Sequence, residues 1–303
     1  MPFFSIIIPT YNRAAFLPKA IESVVGQTFT DWELIIVDDG STDTTKEVVL
    51  SYKNERILYV YQENAERSVA RNNGIHHAQG NFICFMDSDN VMESNRLEFL
   101  CQQIKPQQNK MAVFYTDIQH NYPDNQSRNF CTQGRSFGFP IDYEELAQVI
   151  IATPQLCIAT QILREYAFNP AITIGEDMEL LFRIVQKYPI IYLPKNATII
   201  EVEHQGRSVA SRSTSSEKQF KALDLMFKTA GNKLSQKIKR SLISGVLFRA
   251  SHDYLMEGNL KGVKYLVQSI LQYPQSLQTK YKINLILSFF FNKNKLKNML
   301  LQQ

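Results

Sequence analysis

Short apolar runs and helix-period runs alternate along the first third of the chain. FFSIIIPTY (Phe3 to Tyr11) is almost continuously apolar, the pattern of a strand covered on both faces. Leu17, Ala20, Ile21, Val24 and Val25 then recur at helical spacing, with Asn12 as the expected cap before them. WELIIVDDGS reads as a strand, TTKEVVLSY as a helix, ILYVYQE as a strand, SVARNNGIHHA as a helix and NFICFMDSDN as a strand. Such alternation predicts a doubly wound α/β fold, a parallel sheet with helices on both faces and right-handed crossovers. In open sheets of this kind, ligands bind beyond the carboxyl ends of the strands.

The pattern changes further along. MAVFYTDIQHNYPDNQSRNF predicts a strand, a PDN turn and a return strand. A GED triplet opens an amphipathic helix whose apolar face is Leu180, Leu181, Ile184 and Val185, and YPIIYLP and NATIIEVEH predict two short strands. Beyond about Ser215 the pattern is helical. SGVLFRASHDYLMEGNLKGVKYLVQSILQYP reads as two helices joined at Gly258, similar to one tetratricopeptide-type hairpin, and a single unit makes an appendage rather than a repeat array. The expected division is an α/β domain over 1–214 and a helical region over 215–303.

Composition adds mainly exclusions. Of 303 residues, 44% are hydrophobic and 20% charged, ordinary for a globular protein. The net charge of +4 lacks the strong basic excess that nucleic acid demands, although Lys is concentrated from Gly231 onward. Cys84, Cys101, Cys131 and Cys157 are scattered and form no CxxC pair, so neither a zinc site nor a disulfide framework is expected. MPFFSIIIPTYNR has no basic leader region, and no run reaches the ~20 apolar residues of a membrane span. The expected location is therefore cytoplasmic. The final stretch, INLILSFFFNKNKLKNMLL, pairs apolar and Lys positions. It suits either packing onto the helical hairpin or peripheral contact with the inner face of the plasma membrane.

Polar clusters end three of the predicted strands: Thr10 and Tyr11, Asp38 and Asp39, and Asp87, Ser88 and Asp89. Two carboxylates beside a diphosphate repel it unless a divalent cation lies between them, and oxygen-only ligands suit Mg²⁺ or Mn²⁺. A carboxylate such as those in GED can also take a proton from an attacking hydroxyl. A helix N-terminus lowers carboxylate basicity, so burial or a like charge would have to offset it. Each motif has a plainer reading as well. DSD can cap the helix of MESNRLEFL, DDGSTD can be a turn, Arg71 can be a surface charge, and GED can be an ordinary helix start.

In order along the chain, SIIIPTYNR, IIVDDGSTD, ARNNG, FMDSDN and GED resemble the signature of inverting family 2 glycosyltransferases, over roughly residues 3 to 210. The resemblance implies a GT-A, Rossmann-like doubly wound mixed sheet in 1–214, with 215–303 as a C-terminal helical appendage. It implies transfer of a sugar from a nucleotide-diphospho-sugar, a UDP-sugar, to the hydroxyl of a glycan or lipid-linked acceptor in cell-surface polysaccharide or glycoconjugate biosynthesis. In that scheme Asp89 binds Mn²⁺ or Mg²⁺ and Asp87 contacts the metal shell or ribose, with Ser88 between them. Thr10, Tyr11, Asp38, Asp39 and Arg71 hold the nucleoside end of the donor. Asp177 is the base, supported by Glu176. His204 completes the metal shell, and Arg207, Ser208, Ser211 and Arg212 lie toward the diphosphate. The alternatives are a nucleotidyltransferase, which needs a glycine-rich basic loop where PTYNRAAF has no glycine, and a non-catalytic sugar-nucleotide or carbohydrate-binding protein. A dinucleotide dehydrogenase is disfavoured, because no GxGxxG follows any strand.

Overall fold

A computed structural model describes residues 1–107, 111–121, 127–130, 140–201, 212–257, 259–274 and 282–283. The chain divides into two compact units, Met1–Gly206 and Arg207–Gln303, a few residues before the boundary read from the sequence.

The first unit opens as the periodicity dictates, with β1 (Phe4–Thr10), α1 (Leu17–Val25), β2 (Trp32–Asp39), α2 (Thr45–Ser51), β3 (Ile57–Gln62), α3 (Arg67–His77) and β4 (Phe82–Phe85). There follow β5 (Asn90–Met92), α4 (Arg96–Ile104), β6 (Val113–Asn121), β7 (Ser127–Phe130), α5 (Tyr143–Leu146), β8 (Leu156–Ala159), α6 (Thr160–Glu165), α7 (Glu176–Ile184) and β9 (Ile190–Glu201). Strand order is β3-β2-β1-β4-β8-β6-β9-β5, with β7 paired to β6. The half from β3 to β4 is parallel. β8 then joins antiparallel to β4 and to β6, while β9 runs parallel to β6. The sheet is thus mixed and the fold α/β, with helices following its parallel strands.

The continuous apolar run of β1 is explained by its central place. Phe4, Ile6, Ile7 and Ile8 are all fully buried, because neighbouring strands flank β1 on both edges and helices cover the sheet. α3 lies close against it: a Cβ placed on Gly74 would come within 2.5 Å of Ile7 Cγ2. Ala normally stabilises a helix interior relative to Gly, but here the added methyl meets a packed core. Gly74→Ala is therefore expected to destabilise the protein by about 1–3 kcal/mol, read as a fall in the urea midpoint. A gain in stability would mean that α3 does not sit this close to the strand.

Two local expectations are corrected, and one of the plainer readings is set aside. Asn12 is not the cap of α1, which begins at Leu17 with Phe16 at its N-cap. Instead Asn12 adopts φ 52, a left-handed conformation Asn tolerates, and its carboxamide accepts N–H bonds from Thr42 and Asp43. DSD does not cap a helix either, since β5 intervenes and α4 has Asn95 at its N-cap. The two short strands expected after α7 form the single strand β9, which absorbs its irregularity as register shifts beside Tyr115, Asp117 and Ile118. The PDN turn lies outside the described residues.

The second unit contains α8 (Arg212–Ala230), α9 (Gln236–Met256) and α10 (Lys261–Gln272). Ser235 caps α9 by accepting the Ile238 N–H. α9 and α10 pack as a hairpin, with Gly262 against Leu255 and Ser251 and the Tyr254 and Tyr265 rings stacked at 5.5 Å. The Lys282 ammonium donates to the hydroxyls of Ser244 and Ser269. Gly258 and the chain after Ile283 lie outside the described residues.

Candidate active site

The register of the parallel strands gathers the polar clusters at one end of the sheet. Thr10 pairs with Asp38 across β1 and β2, and Asp39 pairs with Gln62 across β2 and β3. Beyond them the loops after β1 and β2 are laced together. The Asn12 N–H donates to Ser41 Oγ, and the Ala14 N–H to Asp43 Oδ2. Burial works to raise the Asp43 pKa, but hydrogen bonds from Thr45 and the Ala14 N–H hold it below the ordinary carboxylate range.

The two adjacent aspartates do different things. Both oxygens of Asp38 are used internally, accepting the Ser41 N–H at 2.8 Å and the Tyr59 hydroxyl at 2.7 Å. Asp39 Oδ1 accepts from Gln62 Nε2 and the Ala65 N–H, while its Oδ2 takes no hydrogen bond from a described residue. Asp38 shapes the turn, whereas Asp39 has an oxygen left to accept a further hydrogen bond. Thr10 is buried and its Oγ1 has no hydrogen-bond partner among the described residues, an arrangement that a ligand's polar group would relieve. Tyr11 beside it is about half exposed.

α3 organises the rest. Its ARNNG sequence sends three consecutive side chains to three places. The amide of Asn72 both donates to the Phe168 carbonyl and accepts the Phe168 N–H. Asn73 donates to Gln62 Oε1, whose own amide holds Asp39. Arg71, only 2% exposed, donates from Nη1 to Glu176 at 2.8 Å and from Nη2 to Asp87 at 3.2 Å. Its guanidinium lies over the Phe168 ring at 5.4 Å. Burial opposes the Arg71 charge, yet Asp87, Glu176 and Asp177 raise its pKa above the ordinary arginine value. Ser68, one turn earlier, donates to the Ile172 carbonyl. α3 thereby ties the segment before α7 to the sheet end. No sequence signal announced Gln62, Tyr59 or Phe168, because their roles arise from long-range pairing.

GED begins α7 by a backbone device: Gly175 takes φ 78, the left-handed conformation glycine adopts freely, at the helix N-cap. Asp177 accepts the Met178 N–H. Loss of hydration, and then the charge of Glu176, raise the Asp177 pKa to about 6, against the pull of Met178 N–H and Arg71. Burial and a like charge thus outweigh the helix terminus. At the end of β4 the DSDN turn closes with the Asn90 N–H donating to the Asp87 carbonyl. Ser88 and Asn90 are buried, whereas the Asp87 side chain is 44% exposed and Asp89 half-buried.

Residues 5–165 match the sequence profile described as glycosyl transferase family 2. The chain belongs to that family. Among curated relatives, it is 41% identical over 100 residues to the putative teichuronic acid biosynthesis glycosyltransferase TuaG of Bacillus subtilis, a match covering 32% of this chain and 40% of TuaG. It is 41% identical over 107 residues to the GalNAc(5)-diNAcBac-PP-undecaprenol beta-1,3-glucosyltransferase of Campylobacter jejuni, covering 34% and 35% of the two chains. In these relatives the matched stretch spans less than half of the protein. Among solved structures, S. aureus TarS 1–349 superposes with TM-score 0.67 at 18% identity, over 99% of this chain and 89% of that one. The complex of TarS 1–349 with UDP-GlcNAc gives 0.66 at 19% identity, with the same coverage. These likenesses establish the GT-A fold.

A family 2 site of this kind implies a divalent cation, and the residues that would hold one are Asp87 and Asp89, whose oxygen donors are of the type Mg²⁺ or Mn²⁺ takes. Asp87 and Asp89 offer carboxylate oxygens at the strand end. Among the described residues no group of three or more His, Cys, Asp or Glu could form a closed cage. Mg²⁺ typically takes one or two carboxylates and completes its shell with phosphates and water, so a closed protein cage is not required. His204, Arg207, Ser208 and Ser211 lie outside the described residues. Arg212 opens α8, and only its backbone is described.

Proposed function

We propose that the chain is an inverting, divalent-metal-dependent glycosyltransferase that uses a UDP-sugar and glycosylates the hydroxyl of a glycan or lipid-linked acceptor on the cytoplasmic side of the membrane. The observation that carries this reading is the Asp87–Arg71–Glu176 chain, because it joins the diphosphate-side motif to the helix bearing Asp177. The complexes of TarS with UDP and UDP-GlcNAc support the donor class. The names of TuaG and the C. jejuni enzyme support an acceptor in surface-polysaccharide or lipid-linked glycan assembly.

Thr10, Tyr11 and the open oxygen of Asp39 receive the nucleoside, with Gln62 and Ala65 fixing the rotamer of Asp39. Asp87 and Asp89 would hold Mg²⁺ or Mn²⁺, which when bound would neutralise charge on the departing diphosphate. The acceptor oxygen forms a bond to the anomeric carbon as the bond to the diphosphate oxygen breaks. Its proton passes to the Asp177 carboxylate and UDP leaves, in one displacement that inverts the anomeric centre. Glu176, buried and held by Arg71, supplies the charge that keeps Asp177 basic.

Asp89→Ala is expected to lower Mn²⁺-stimulated transfer from a UDP-sugar by at least about a hundredfold, the scale lost when a charge-stabilising group is removed, while donor-free thermal stability stays within ~1 kcal/mol. Steady-state rates across a Mn²⁺ titration read the effect. Pyrophosphate release from nucleoside triphosphates would instead make the chain a nucleotidyltransferase. Donor binding without hydrolysis or transfer would make it a binding protein.

A further inference from the structure

The net charge of +4 conceals a division. Arg207–Gln303 carries 17 Lys and Arg against four Asp and Glu, a net +13, whereas Met1–Gly206 is net −9. So large an excess attracts an anionic partner through its field alone. α10 shows what kind of partner. Its buried residues Gly262, Leu266 and Ser269 occupy one face. At 100° per residue, Leu260, Lys264, Val267 and Leu271 fall together on the opposite face. There Leu260 is 66% exposed, Val267 41% and Leu271 74%, with Lys264 among them and exposed Lys261 alongside. The helix is apolar on two sides while its hairpin partner covers one.

We infer that the outer face of α10 is a membrane-surface contact that inserts Leu260, Val267 and Leu271 between the headgroups of an anionic bilayer, with Lys261 and Lys264 against its phosphates. An apolar stripe flanked by lysines, in a unit of high positive charge, is the chemistry of a helix lying in the interface plane. A soluble polyanion would use the charge but gain nothing from three exposed aliphatic side chains. The stripe extends ~16 Å along the helix, and among the described residues no helix is long and apolar enough to cross a membrane. The contact is therefore superficial. This inference deepens the proposed function, since a lipid-linked acceptor is met at such a surface, but the contact stands or falls without the chemistry.

The full chain is tested by co-sedimentation with phosphatidylcholine vesicles, with and without roughly 30% phosphatidylglycerol. Binding to the anionic vesicles alone is expected, weakening as salt rises. Leu260→Gln/Val267→Gln/Leu271→Gln and, separately, Lys261→Glu/Lys264→Glu should each reduce it at least about tenfold. All substituted residues are exposed, and unchanged far-UV circular dichroism confirms folding. Donor hydrolysis in vesicle-free solution should be unaltered in both variants, and its failure in the wild type would count against the proposed function alone. Equal binding to neutral and anionic vesicles overturns the inference. So does a triple Gln variant that binds like the wild type, or dextran sulfate outcompeting vesicles for wild type and triple variant alike.

Discussion

Asp177→Asn is expected to reduce transfer by about three orders of magnitude, the scale of positioned proton transfer, while leaving donor affinity within a few-fold and raising thermal stability near neutral pH. The first effect follows from the loss of the proton acceptor. The second follows from the environment that makes Asp177 basic. Burial and the adjacent Glu176 charge lift its carboxyl from 3.8 to about 6, so the folded protein binds this proton more tightly than the unfolded chain. Stability from this group is fully present below pH 3.8 and is lost as pH rises through about 6. At pH 7.5 the wild type bears that cost, on the order of 1–3 kcal/mol at 1.36 kcal/mol per pKa unit. Asn is isosteric, can still accept the Met178 N–H, and carries no charge to desolvate. The advantage of the variant should shrink as pH falls from 6 toward 4, which melting curves across pH would show. In the wild type, log kcat/KM should rise with unit slope below about pH 6 and level off above it. A variant with near-normal transfer, or a flat wild-type profile from pH 5 to 8, would remove Asp177 from the role of base.

Periodicity made the parallel half of the sheet legible because those strands are buried on both faces and their helices have a single apolar stripe. Ile6, Ile7 and Ile8 announce β1, as Ile35, Ile36 and Val37 announce β2. The antiparallel half was harder to read. β8 has four residues and α6 six, too short for periodicity to speak, and β9 hides a register shift beside Pro194 that mimics a strand break. Asn12 was misread for a related reason. Its type suits a helix cap as well as a left-handed turn, and only the partner loop at Thr42 and Asp43 decides between them.

The site shows the same division. Chemistry-bearing residue types at strand ends could be named in advance, because a doubly wound sheet leaves few other places for a ligand. What the motifs do to one another could not. The expectation for Arg71 came from resemblance and pointed to the nucleobase region. In the fold its guanidinium is buried between Glu176 and Asp87, 105 and 16 residues away in sequence. No local pattern encodes a partner at that separation. Likewise the split between Asp38, satisfied by its own turn and Tyr59, and Asp39, with one oxygen that takes no hydrogen bond from a described residue, is decided by Tyr59 and Gln62 on the next strand.

Arg71→Met is expected to destabilise the protein by about 3–5 kcal/mol, the range for removing one partner of a buried ion pair. Glu176 is nearly as buried as Arg71, and its remaining cation, Arg67, stands at 3.9 Å with a half-exposed side chain. Lys cannot substitute, because one ammonium lacks the planar fork that reaches two carboxylates on different elements. Adding Glu176→Gln to Arg71→Met removes the orphaned charge and should restore a large part of the stability, so the double-mutant cycle should show strong coupling. Transfer should not return in the double variant, because Asp87 loses its tether and Asp177 its charged neighbour. Arg71 is also among the groups that hold the Asp177 pKa down. In the single variant, with Glu176 still charged, the acid limb of the pH–rate profile should therefore move above 6. A merely structural arginine would lower the melting temperature and leave that limb in place. Urea denaturation of the four proteins of the cycle, with pH profiles of the active ones, separates the two roles. Wild-type stability together with an unshifted limb in Arg71→Met would remove Arg71 as the link between Asp87 and the helix bearing Asp177.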